Sequence, residues 1–164
     1  MSSPRVRMSF TATTPTLRRP DMTTTAPHDT QTGLSARRLA ALRGNCMGAA
    51  VLLLIEFGLG IGVNLYVTLP KHKPFISTVF GSATLAAHAI VALVLLGAAA
   101  GALVRAIRAR KAIALTSVGF AAVVAAGIAG AAFASSQNNG ASLAMALATA
   151  VALFSYLAAI FSLR

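Results

Sequence analysis

Four long apolar runs constrain this chain more than any other feature. They cover about residues 46–69, 76–104, 112–134 and 141–162, and one carboxylate, Glu56, is the only Lys, Arg, Asp or Glu inside them. Each run exceeds the roughly 20 residues that a helix needs to cross about 30 Å of hydrocarbon. The runs are continuous and rich in Ala and Leu. A membrane β-barrel would instead show alternation in units of about ten residues. The expected fold is therefore all-α, a transmembrane four-helix antiparallel bundle with a disordered N-terminal tail.

Composition supports the same reading. Charged residues make up 10% of the chain and apolar residues 57%, against roughly 25% charged in a soluble domain. So few charges cannot cover a water-facing surface, and lipid must solvate much of the chain. The domain division expected is 1–40 as a basic cytoplasmic tail and 41–164 as the membrane domain. The tail is rich in Ser, Thr, Pro and Arg and has too little apolar surface to offset its ordering entropy. A short amphipathic helix at Ser35 to Leu42 is compatible with its end. The segment is too long and too polar for a signal-peptide n-region, and no A-x-A site closes the next apolar run.

Short connections force antiparallel neighbours. Pro70 to Pro74 links the first two runs, Arg105 to Lys111 the next pair, and Ser135 to Gly140 the last. Twelve of the fourteen basic residues fall on one side: seven arginines up to Arg43, then Arg105, Arg108, Arg110, Lys111 and Arg164. Only Lys71 and Lys73 fall on the other. The positive-inside rule then places both termini in the cytoplasm. The net charge of +11 is accounted for by these flanks, and no nucleic-acid partner is expected.

The expected partners are the lipid bilayer, anionic lipid at the basic tail, and a second copy or another membrane protein. Helices in lipid associate through small residues. Gly58 with Gly62, and Gly97 with Gly101, form GxxxG pairs, and Gly127 with Ala131 and Gly130 with Ala134 extend the theme.

Glu56 is the only acidic residue beyond the tail. A charged carboxylate at mid-membrane costs about 2.5–3.5 kcal/mol on insertion scales, and such a residue is by default a functional-site hypothesis. It is expected to face the bundle interior. His88 is its natural partner. Glu56 lies 14 residues before Pro70 and His88 lies 14 after Pro74, so both sit about 20 Å down antiparallel helices at 1.5 Å per residue. Gly60 and Asn64 follow Glu56 on one face, with Thr68 beyond. That stripe reads either as a polar track or, slightly favoured, as interhelical hydrogen bonding.

The remaining candidates read as packing. Tyr66 is expected as an interfacial anchor. Thr149, Ser155 and Tyr156 are expected to make polar contacts in the bundle, and Phe154 and Phe161 to meet lipid or neighbouring helices. The single cysteine, Cys46, is expected as a packed thiol in preference to an acylation site. His72 and His88 are the histidines that a haem would draw on, but only His88 lies inside a run. No metal and no cofactor are expected. There is no Walker loop, GxSxG or HExxH motif, and no enzyme is expected.

Two stretches carry a resemblance. Gly60-Ile61-Gly62-Val63-Asn64-Leu65-Tyr66-Val67-Thr68-Leu69-Pro70, followed by His88, is one. Gly130-Ala131-Ala132-Phe133, leading through a polar turn to Ser142-Leu143-Ala144-Met145-Ala146, is the other. Over about residues 45–162 the chain resembles a group of small four-helix membrane proteins of actinobacteria to which no activity is attached. That resemblance implies a bacterial plasma membrane and nothing about chemistry. Small multidrug transporters also have four helices and a Glu in the first. The chain departs from them in lacking tryptophan, in its long tail and in its charge bias, and no residue is carried over. The function expected is a structural or interaction component of the membrane. The alternative is a proton-coupled small-molecule carrier with Glu56 as its proton site. The first would bury Glu56 dry and paired, and the second would open a water-accessible cavity to it from one side.

Overall fold

The structure, a computed structural model, describes residues 27–66 and 80–164. Residues 1–26 and the first connection, including Thr68, Lys71, His72 and Lys73, lie outside them. Within the described residues are four helices: α1 (Pro27–Tyr66), α2 (Ala83–Ala109), α3 (Ile113–Ser136) and α4 (Asn139–Ser162). All four are long and apolar enough to cross a membrane. Even the shortest, at 24 residues, rises about 36 Å. The chain is thus a multi-pass integral membrane protein in contact with a lipid bilayer.

One boundary departs from expectation. Helix α1 begins at Pro27, not near residue 46, and takes in residues 27–40 that composition assigned to the disordered tail. Extending an existing helix adds one hydrogen bond per residue without the nucleation cost, so a polar segment can ride on a membrane helix that could not form alone. Helix α2 starts later than expected, at Ala83, and runs on through the arginines to Ala109.

Each helix turns a seam of period 3.5 inward. On α1 it is Leu42, Cys46, Ala49, Leu53, Glu56, Gly60 and Val63. On α2 it is Leu85, His88, Ala92, Leu95, Ala99, Ala102 and Ala106. Steps alternating between three and four residues are the signature of left-handed bundle packing. Helix α1 packs most extensively on α2 and α3 on α4, and smaller α1–α4 and α2–α3 contacts close the ring. Outward-facing positions carry large apolar side chains such as Leu93, Ile128, Leu143 and Phe154, the arrangement that lipid solvation permits.

Two tight turns hold the hairpins. At the end of α2, Arg110 and Lys111 donate backbone N–H bonds to Ile107 and Ala106 carbonyls at 3.2 Å, closing the last turn in the Schellman manner. Between α3 and α4, the Asn138 side chain accepts from the Gly140 backbone N–H at 2.7 Å, an N-cap that satisfies an orphan donor. Arg110, Ala112 and Gln137 adopt left-handed φ values of 52°, 54° and 51°, conformations that side chains other than glycine enter at an energetic cost.

The buried core lies in one half of the bundle, beside the basic end. It comprises Leu42, Cys46, Ala49, Ala50 and Leu53 of α1, Leu95, Ala99, Ala102 and Ala106 of α2, Ala122 and Val123 of α3, and Ala152, Tyr156, Ala159 and Ile160 of α4. Tyr156 is its largest fully buried member. Its ring sits against Gly119, where an added Cβ would stand 2.9 Å from the ring's Cζ. The glycine is therefore required by the tyrosine.

The glycine pairs divide. Gly62 faces Thr84 across the α1–α2 contact and Gly101 faces Asn45, while Gly58 and Gly97 meet nothing within 4 Å. Among the described residues Gly58 and Gly97 face no neighbouring helix, so of the tight bundle or homo-oligomer expected from the pairs, only Gly62 and Gly101 serve the first. Four residues turn a helix by about 400°, so a GxxxG pair is displaced about 40° around the axis, and here only one member of each pair reaches the neighbour.

Candidate functional site

The seams of α1 and α2 carry one acidic or basic side chain each, Glu56 and His88. The common rise of the two helices brings them level, and His88 Nδ1 stands 3.1 Å from Glu56 Oε1. This is ion-pair distance. The angle falls short of a hydrogen bond, however, so Nδ1 has no hydrogen-bond partner among the described residues. Gly60, one turn along α1, leaves room for the ring: an added Cβ there would be 3.5 Å from His88 Cε1. Glu56 is 9% exposed. The predicted interior Glu56–His88 pair is therefore present.

The pair borders a cavity of about 320 Å³ between all four helices. Leu53, Leu95 and Val123 belong both to its lining and to the packed core, and so form its floor. Its walls are mostly apolar, with Phe57 and Ile61 from α1, Phe133 from α3 and Met145 from α4. Polar groups enter at few points: Glu56, His88, Asn64, Ser142 and Thr149. Thr149 Oγ1 is already used, donating to the Met145 carbonyl at 2.9 Å. Glu56 Oε2 is buried with no hydrogen-bond partner among the described residues. An apolar pocket of a few hundred Å³ with a small number of placed polar groups is the usual form of a small-molecule site.

Phe57, Ile61, Asn64 and Gly127 line the cavity and are themselves exposed, so it is not sealed. The third predicted site residue, Asn64, thus lines the same cavity as Glu56 and His88, but from its exposed rim. Among the described residues it makes no interhelical hydrogen bond, so the packing role favoured for that stripe is absent there. Position i+8 lies about 80° around the helix from Glu56, which turns Asn64 away from the seam.

Several lining residues escaped the sequence reading. Ser142, Met145 and Phe133 were not singled out as site residues, because they look like ordinary membrane composition. The signal that finds them is the seam itself. Ser142, Met145, Thr149, Ala152, Tyr156 and Ala159 on α4, and Thr116, Gly119, Val123, Ala126, Gly130 and Phe133 on α3, follow the same three–four alternation. Reading the four seams in register places Ser142, Met145 and Thr149 at the level of Glu56.

Other expectations resolve simply. Cys46 is fully buried, a packed thiol. Phe154 and Phe161 point outward, and Tyr66 is exposed at the end of α1, as an interfacial anchor would be. Ser155 is buried and donates to the Val151 carbonyl at 2.8 Å within its own helix. The Tyr156 hydroxyl is buried without a partner among the described residues. No group of three or more His, Cys, Asp or Glu side chains comes together among the described residues, and His72 lies outside them. Comparison with known protein families, with curated proteins and with solved structures gives no match.

Proposed function

We propose that the protein is a proton-coupled membrane carrier of small, largely apolar cations, and not an enzyme, with Glu56 as the shared proton and cation site. The observation that carries this reading is the cavity at Glu56, into whose surroundings the carboxylate brings an oxygen, Oε2, that no described residue satisfies. An unsatisfied buried carboxylate oxygen is costly. Either a proton or a cation relieves that cost, so the two compete for one oxygen. His88 supplies the proton's second station at 3.1 Å. Phe57 and Phe133 in the wall offer ring faces that attract a cation.

The orientation in the membrane follows from charge. The arginines at the end of α2 and in the α2–α3 turn mark the basic end of the bundle. By the positive-inside rule that end, with both termini, faces the cytoplasm, and the cavity lies in the outer half of the bilayer. The likeness of the Gly60–Pro70 stretch to small actinobacterial membrane proteins supports a bacterial plasma membrane. A second reading, a structural bundle held by the Glu56–His88 contact, is favoured by the close packing of the basic half.

One titration separates them. Benzyltrimethylammonium, a permanently charged probe with a single aromatic ring, is added to protein in nanodiscs in weakly buffered medium, with infrared detection of the Glu56 carboxyl. The carrier reading expects proton release on binding and loss of the protonated-carboxyl band, both absent in Glu56→Gln. Saturating probe with no proton released and no carboxyl change leaves only the structural bundle.

A further inference from the structure

A second concavity lies at the basic end, outside the α1–α2 contact. Arg38 of α1 with Arg105 and Arg108 of α2 line a cleft of about 430 Å³ completed by Ala41 and Ala109. Arg105 is held in place across the two helices: its Nη1 donates to the Ala41 carbonyl at 3.2 Å. A guanidinium carries five N–H donors in a rigid fork, so most of them stay available to the cleft.

Among the described side chains these cations have no protein counter-charge. The acidic residues of the chain are Asp21, Asp29 and Glu56. Along α1, Asp29 is nine residues from Arg38 and Glu56 is eighteen, about 13 and 27 Å away at the helical rise. Among the described residues the only ion pair is that of Glu56 with His88. Arg43, Arg110 and Lys111 are exposed at the same end and add to the positive field. Three arginines that line one cleft with no carboxylate among the described side chains call for an anion, and planar forks suit phosphate oxygens.

The furrow below the arginines says which anion. Asn45 Nδ2 donates to the Ala98 carbonyl at 3.4 Å, and Gly101 lies directly against that side chain, so the α1–α2 groove is floored by small residues. Gly48 and Gly97 beside it are exposed, and a Cβ on either would meet nothing within 4 Å. Exposed Val94 and Val104 of α2 continue an apolar surface from the cleft into the membrane. A charged head above a shallow apolar track matches a phospholipid lying along the helices.

We propose that the cleft of Arg38, Arg105 and Arg108 is a binding site for the phosphate headgroup of an anionic phospholipid, whose acyl chain follows the α1–α2 furrow. The site is separate from the Glu56 cavity and stands whatever that cavity does. Purified protein in mild detergent is titrated with phosphatidylglycerol, phosphatidylcholine or inorganic phosphate, with bound lipid counted by native mass spectrometry. Phosphatidylglycerol is expected to bind at least about tenfold more tightly than phosphatidylcholine, with each arginine contributing about fivefold. Arg108→Gln, which removes no bond seen in the fold, should lose about fivefold, and the Arg38→Gln/Arg105→Gln/Arg108→Gln variant should lose the preference entirely. Arg43→Gln with Arg110→Gln, at the same end but outside the cleft, should keep it. An equal loss from that control pair would reduce the site to a diffuse basic field and overturn the proposal. Inorganic phosphate displacing the lipid at equal concentration would overturn it too, since the acyl furrow would then contribute nothing.

Discussion

The two halves of the bundle use the same seams to opposite ends. In the basic half the inward positions are filled by Ala, Leu, Cys and one large Tyr, and close into a core. In the other half the same positions carry Glu56, Gly60, His88, Ser142 and Thr149 beside Val63, Leu85, Phe133 and Met145, and leave a cavity of about 320 Å³. Helix count, crossing and period do not differ between the halves. What differs is whether side-chain volumes in each layer sum to the space available. Small residues on one helix pack closely only where a neighbour projects something large, as Tyr156 does onto Gly119. Where small and polar residues face each other across the ring, space remains, and the carboxylate next to it keeps an unsatisfied oxygen.

The largest effect should come from removing the tyrosine that fills the packed half. Tyr156→Ala should lower unfolding free energy in bicelles by about 3–5 kcal/mol. Met145→Ala, on the cavity wall, should lose clearly less than the range of about 2–5 kcal/mol for a packed methionine, because part of its surface already meets open space. Equal losses at the two positions would dissolve the distinction between the halves.

The polar pair gives the next test. His88→Ala leaves the Glu56 carboxyl without its neighbour at 3.1 Å and should destabilise the bundle. The same substitution in a Glu56→Gln background should be far milder, with a coupling energy of about 1–3 kcal/mol in the double-mutant cycle. Strict additivity would show that the 3.1 Å contact has no energetic content.

Glycines provide the finest comparison. Gly119→Ala places Cβ 2.9 Å from the Tyr156 ring and should destabilise by about 1–3 kcal/mol. Gly60→Ala, with 3.5 Å to His88, has room and should be neutral or stabilising. Gly58→Ala and Gly97→Ala meet nothing within this chain and should stabilise by about 0.5–1 kcal/mol through backbone entropy. A stability loss at Gly58 or Gly97 that grows with protein dilution would reveal a second copy packed on that face.

Much of this was legible beforehand. The four spans follow from run length against bilayer thickness. Glu56 does meet His88, but the equal count of 14 residues from each proline presumes helices that reach the loop, whereas α1 is described to Tyr66 and α2 begins at Ala83. Asn64 lines the cavity with Glu56 and His88, but eight residues do not return it to the same face, and spacing alone does not say which way the pairs with Gly58 and Gly97 point. Helix α1 was placed too short, because composition measures what a segment can do alone and not what it does as the continuation of a helix.

The sequence by itself determined fold class, the number of apolar spans and the separation of charge between the ends, since each depends on distances along one helix. Only the tertiary structure decided that the basic half is filled and the other half hollow, that Tyr156 needs Gly119, and that Arg38, Arg105 and Arg108 share a cleft. Those outcomes depend on the volumes and directions of side chains from several helices meeting in one layer, which no single helix's periodicity contains.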